Sequence, residues 1–158
     1  MIERFDYFGW QVDVDVDQTR IESAVADDRC TCNECRNYYL QIDSVFPGEF
    51  LEVVGKMGID YRNETRLSNY GKFEGFQLYG GEFHFVGRVK PKYRILNGIR
   101  KLFGMHAKLR THEINDRFSC SFNRFADEFR HAPTRPLSYI SFSVKLPWLL
   151  DEPEPDYS

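Results

Sequence analysis

Three of the four cysteines fall within six residues, Cys30-Thr31-Cys32-Asn33-Glu34-Cys35. Thiols at that density hold a metal or exchange electrons more often than they pack a core. The two-residue gap between Cys32 and Cys35 lets one turn of backbone aim both sulfurs at one ion, and Cys30 is close enough to supply a third. Zinc takes thiolate and imidazole ligands, usually four in a tetrahedron where its role is structural, so one ligand must come from elsewhere. Cys120 alternates with Phe118 and Phe122 and reads as a buried core thiol. Of the four histidines, His106, His112 and His131 lie in polar or basic surroundings. His84 stands opposite the face of Phe83 and Phe85, beside a Gly-Gly pair, and is the preferred imidazole; its other reading is an ordinary sheet histidine. The expected site is therefore Cys30, Cys32, Cys35 and His84 around a structural Zn2+, with redox-active or plain free thiols as the alternatives.

A second acidic pattern, Asp13-x-Asp15-x-Asp17, imitates the start of a calcium loop. Such a loop needs Gly at its sixth position and Glu at its twelfth, where this chain has Gln18 and Ala24. The three aspartates read instead as the solvated face of a strand. No phosphate loop, dinucleotide fingerprint, nucleophile elbow or His-Glu-x-x-His motif occurs. A zinc-dependent hydrolase using the three cysteines and a water is the remaining enzymatic alternative.

The cysteines need an element to position them, and the segment on their C-terminal side supplies one. Thr31-x-x-Glu34 has the form of a capping box, which predicts a helix from Cys32 to about Ile42 with Cys32 in its first turn, where the helix dipole favours thiolate. Pro47 suits a helix start and Gly58 a helix end, with Phe50, Leu51, Val54 and Met57 as the apolar stripe between them. Trp10, Val12, Val14 and Val16 alternate with polar residues and predict a strand. Further strands are expected over residues 65–70, 76–79 and 82–89, with a hairpin turn at Gly80-Gly81. Phe118, Cys120 and Phe122, then Ile140, Phe142, Val144 and Leu146, alternate in the same way. Helices and strands do not alternate regularly. That predicts an α+β domain over residues 1–150, an antiparallel β-sheet with two or three packed helices. Residues 151–158, acidic and carrying two prolines, read as a flexible tail.

The 158 residues suffice for one core, and no apolar run is long enough to span a bilayer. The first residues lack the basic and apolar regions of a signal peptide, so a reducing cytoplasm is expected. The net charge of −3 hides a segregated distribution. Eight of the 21 Lys and Arg residues (Arg88, Lys90, Lys92, Arg94, Arg100, Lys101, Lys108 and Arg110) fall in 88–112, where no Asp or Glu occurs. Ile95, Leu96, Ile99, Leu102 and Phe103 are helically spaced among them. This segment could lie on nucleic acid, on an anionic surface, or on the acidic body of the chain itself, and the last is the simplest.

Several phrases resemble an uncharacterised family of small bacterial proteins: Cys30-x-Cys32-x-x-Cys35-Arg36-Asn37, Phe46-Pro47-x-Glu49-Phe50-Leu51, Leu78-Tyr79-Gly80-Gly81, His84-Phe85-Val86-Gly87 and Pro147-Trp148-x-Leu150-Asp151-Glu152-Pro153-Glu154-Pro155. The resemblance carries no activity with it, but it pairs the cysteine phrase with the His84 phrase and so favours their sharing a site. Size, an acidic body and the lack of catalytic signatures point to a small protein-binding protein with a zinc site. An immunity protein that occludes a toxin is the analogy.

Overall fold

The computed structural model describes residues 1–25, 28–91, 111–124 and 136–157. Among these residues seven antiparallel strands form one sheet, and three helices pack with it, the α+β class that the alternating patterns predict. The strands are β1 (Ile2–Tyr7), β2 (Trp10–Asp15), β3 (Arg66–Phe73), β4 (Phe76–Pro91), β5 (His112–Glu113), β6 (Phe118–Arg124) and β7 (Leu137–Leu146). The helices are α1 (Val16–Ser23), α2 (Asn33–Val45) and α3 (Gly48–Lys56). Strand order is β1-β2-β4-β7-β6-β5, with β3 also beside β4.

The 16-residue β4 is the spine. One of its edges pairs with β7 from Gln77 to Val86. Its other edge is shared: β3 takes the first part and β2 the last, from Gly87 to Pro91. Between those partners β4 would leave amides unpaired, and two threonine hydroxyls fill the gap. The His84 amide donates to Thr65 Oγ1 at 3.3 Å, and the Val86 amide to Thr19 Oγ1 at 3.0 Å.

The expected turn at Gly80-Gly81 is not there; both glycines lie inside β4. Their small size has a different cause. A Cβ on Gly80 would lie 2.5 Å from the Tyr70 ring, and one on Gly81 2.4 Å from Phe142. The actual β3–β4 turn is Glu74-Gly75, both at positive φ, the conformation of a two-residue type I′ hairpin. Phe8-Gly9 makes the same kind of turn between β1 and β2.

Tyr79, Phe83 and Phe85 of β4 share a sheet face with Ile140, Phe142 and Val144 of β7 and with Phe118, Cys120 and Phe122 of β6, and all are buried. Phe46 is the hub of this core, its ring centroid 5.2 to 5.8 Å from those of Phe50, Phe83, Phe118 and Phe142. Pro47 forces Phe46 into extended backbone, which ends α2 and lets α3 begin at once. Gly58, at φ +82, ends α3 as expected: its amide bonds the Gly55 carbonyl and the Ile59 amide bonds the Val54 carbonyl, a Schellman pair.

The acidic pattern near the N-terminus divides among structural roles. Asp13 takes the Arg4 guanidinium through both oxygens, at 2.6 and 3.0 Å. Asp15 caps α1 by accepting from the Gln18 amide, and Asp17 lies in the first turn of that helix rather than on the strand.

Candidate metal centre

Cys30, Cys32 and Cys35 do come together: their three sulfurs lie within 4.8 Å of one another. The edge of a zinc–thiolate tetrahedron is about 3.8 Å, given Zn–S bonds near 2.3 Å, so an ion could draw the sulfurs in with small side-chain rotations. All three are free thiols. Cys30 and Cys32 are exposed and Cys35 is half-buried.

The helix begins one residue later than the capping-box pattern predicts. Cys32, not Thr31, is the N-cap, in extended backbone, and its carbonyl accepts the first helical bond from the Arg36 amide at 2.9 Å. Cys35 therefore sits in the first turn, and its unpaired amide favours a negative sulfur on Cys32, against the burial that pushes that thiol up. Glu34 makes no capping box. Its carboxylate accepts the Tyr157 hydroxyl, which more than anything else holds it below the usual carboxylate range.

The thiols are not equivalent. The Cys32 backbone amide, then the thiols of Cys32 and Cys35, hold Cys30 below the ordinary thiol value. Burial pushes Cys35 up, and its two neighbouring thiols push in the same direction.

Three ties hold the cluster in place. Arg29, immediately before it, stacks its guanidinium 4.5 Å over the Tyr39 ring and donates to the Arg62 carbonyl. Below it, the Tyr79 hydroxyl of β4 donates to the Glu34 carbonyl at 2.9 Å. Asn37, fully buried, donates to the Tyr79 hydroxyl and to the Pro147 carbonyl and accepts from the Leu149 amide. Residues 147–157 have no regular secondary structure and run back over this end of the sheet. Arg36 pairs with Glu152 at 2.8 Å, Lys72 with Glu154 at 3.0 Å, and the Trp148 indole donates to the Glu152 carbonyl at 2.7 Å. The cysteine, Leu78–Gly81 and Pro147–Pro155 phrases thus meet at one place, the start of α2.

His84 does not join them. Phe83 and Phe85 face the helices, as does Tyr79, so His84 is directed to the opposite face of the sheet. There its Nε2 lies 3.3 Å from Glu82 Oε2, its ring meets Tyr139 edge-on, and burial holds it below the ordinary imidazole value. Cys120 is buried, and burial pushes its thiol up to about 12, as expected of a core cysteine. His112 stacks on Phe8 at 4.3 Å, while His106 and His131 lie outside the described residues.

Of the basic segment, Arg88 and Lys90 are exposed on β4, and Lys90 pairs with Asp13 at 3.2 Å. Lys92, Arg94, Arg100, Lys101, Lys108 and Arg110 lie outside the described residues.

Sequence reading does not find Tyr157, Tyr79 or Asn37 as parts of the centre. Nor does it find a polar cavity of about 280 Å³ on the sheet face away from the core. Arg66, Glu82, Ser119, Ser121, Ser141 and Ser143 line it. Ser119 and Ser121 of β6 and Ser141 and Ser143 of β7, alternating with core residues, are the available signal, because small side chains side by side on two paired strands leave a depression.

Compared with protein-family models, curated proteins and solved structures, the chain matches none of them. Among the described residues no helix is long and apolar enough to cross a membrane.

Proposed function

We propose that this is a cytoplasmic zinc-binding protein in which the ion is structural, fastening the irregular segment before α2 to the first turn of that helix. The convergence of the three sulfurs carries the reading. A thiolate-rich set of this kind selects zinc over calcium or magnesium, and a reducing compartment keeps it from closing into a disulfide. Elemental analysis of the purified protein tests it. We expect about one equivalent of zinc, lost together with several degrees of melting temperature in Cys35→Ser. Less than about half an equivalent, with an unchanged Cys35→Ser variant, would retire the reading.

On this scaffold the chain works by binding a protein partner rather than by catalysis. Support comes from large apolar side chains left exposed on the elements that meet at the centre: Leu40 of α2, and Leu149 and Tyr157 of the C-terminal segment. Crosslinking in host lysate should capture a partner with the wild-type protein and lose it with Leu40→Asp or Leu149→Asp. Equal capture by all three proteins, or by none, would count against binding through this surface.

A further inference from the structure

We propose that the three cysteines are also a redox switch: hydrogen peroxide closes Cys32 onto Cys35 as a disulfide, leaves Cys30 as a thiol, and so releases the ion. The release rests on the zinc reading above; the disulfide does not.

Helix α2 sets the pairing. Cys32 is its N-cap, and Cys35 lies three residues on, in the first turn. On a helix that separation places two Cα atoms about 5 Å apart. Disulfides span about 4.4 to 6.8 Å between Cα atoms, so this pair can close without moving the backbone. An N-cap side chain is directed over the first turn, toward the residue three positions on. The two sulfurs already lie within 4.8 Å of each other, and side-chain rotation brings them to bonding distance. Cys30 belongs to the irregular segment ahead of the helix, where nothing fixes such a separation. Joining it to Cys32 would enclose a single residue, Thr31, a ring too tight for relaxed disulfide geometry.

Exposure sets the order of events. Cys32 is exposed and Cys35 half-buried, so peroxide meets Cys32 first. The Cys32 sulfur attacks one peroxide oxygen, the O–O bond breaks, and the other oxygen leaves as water, with Cys32 now a sulfenic acid. The Cys35 sulfur then attacks the Cys32 sulfur. The S–S bond forms, the S–O bond breaks, and the hydroxyl leaves as a second water. Two thiols and one hydrogen peroxide thus become one disulfide and two waters, with two electrons passing from sulfur to peroxide. The protons come from the thiols, or from solvent where a metal has displaced them. Cys30 is exposed as well; oxidation there reaches the same end, because thiol–disulfide exchange moves the bond to the pair with relaxed geometry. A resolving thiol so close consumes the sulfenic acid before the irreversible sulfinic stage. The exposed Cys32 sulfur leaves the disulfide open to a reducing thiol, which restores the site. Once Cys32 and Cys35 are joined they are no longer anionic donors, and Cys30 alone cannot hold zinc.

Arg29 and Arg36 bound one tryptic peptide, Cys30–Arg36, that holds all three of these cysteines, so mass spectrometry of the full chain reads the pairing. After peroxide treatment, free thiols are capped with N-ethylmaleimide, and the disulfide is then reduced and capped with iodoacetamide. The maleimide should sit on Cys30 and the second label on Cys32 and Cys35. A chromogenic chelator should detect about one equivalent of zinc per disulfide, and dithiothreitol should reverse the change. In metal-free protein Cys30→Ser should close at the wild-type rate. Cys35→Ser should stop at a Cys32 sulfenic acid trapped by dimedone, closing at least about tenfold more slowly. Maleimide on Cys32 or Cys35, or a Cys30→Ser variant that fails to close, overturns the pairing. A disulfide that leaves zinc bound overturns the release. Three free thiols under peroxide that fully oxidises glutathione overturn the switch while leaving a metal site standing. A protein that purifies without zinc removes the metal reading and the release with it, and the peptide labels still decide the disulfide.

Discussion

Asn37 shows how much of the centre depends on groups that are not ligands. Its side chain is fully buried and joins three segments, bonding the Tyr79 hydroxyl of β4 and the Pro147 carbonyl and Leu149 amide that lie beyond β7. Truncation strands polar groups in the interior, each costing about 1–3 kcal/mol. Asn37→Ala should therefore lose about 2–4 kcal/mol in urea denaturation. Because the same network holds the Glu34 carbonyl through Tyr79, the variant should also bind metal more weakly. Tyr79→Phe breaks only the hydroxyl links and should cost about 1–2 kcal/mol. A stability loss below about 0.5 kcal/mol for Asn37→Ala would mean that the network is not what seats α2. The unequal thiols add a pH dependence to metal binding. Cys35 is held protonated by burial and must give up its proton to a metal, so affinity should rise as pH rises. Calorimetry in two buffers of different ionisation heat reads the protons released, and a pH-independent affinity would contradict it.

Elements are legible where one local cause suffices and illegible where a distant one decides. α3 can be read from its stripe, Pro47 and Gly58, because all three signals lie within the segment. Helix α1 escapes such a reading because only Val16 and Thr19 of its eight residues are buried, which leaves no stripe. Its one signal is Asp15-x-x-Gln18, a capping pattern hidden beneath the strand alternation that runs into it. Gly80-Gly81 suggests a turn because nothing local distinguishes a glycine that turns the chain from one that admits a ring from another strand. The cluster of cysteines is legible from spacing alone. The separation of His84 from it is not, since that requires knowing that α2 lies on the Phe83 face of β4. Glycine substitutions test this account at the level of elements. Gly81→Ala drives a methyl into Phe142 and the Arg66 carbonyl and should cost about 1–3 kcal/mol or more. Gly55→Ala, in α3 with nothing within 4 Å, should stabilise by about 0.5–1 kcal/mol. Equal effects of the two, read by thermal melts, would refute the close-packing role given to Gly81.

Over the whole molecule, charge is used to join pieces that share little backbone. The β1–β2 hairpin meets the rest of the sheet through the short register of Trp10–Val14 with Gly87–Pro91. Asp13 spans that seam, taking Arg4 of β1 on one side and Lys90 of β4 on the other. The Arg4 side-chain bond is the main reason its carboxyl is lowered to about 2; burial opposes it, and the Lys90 bond adds a smaller push downward. A carboxyl whose folded pKa lies below its unfolded value of about 3.9 stabilises the fold above that unfolded value, and loses the contribution as pH falls through the folded one. The window is therefore about pH 4 down to pH 2. The pair is near the surface, so solvent screening limits its worth to about 1 kcal/mol. In a chain of this length that is about 2–4 °C in melting temperature. Melting the wild type and Asp13→Asn side by side separates this site from general acid unfolding. The variant should melt lower at pH 5, and the gap should narrow as pH falls toward 2 and the Asp13 carboxyl gains its proton. A gap that stays constant across that range would mean that Asp13 acts through packing, and that the seam does not depend on its charge.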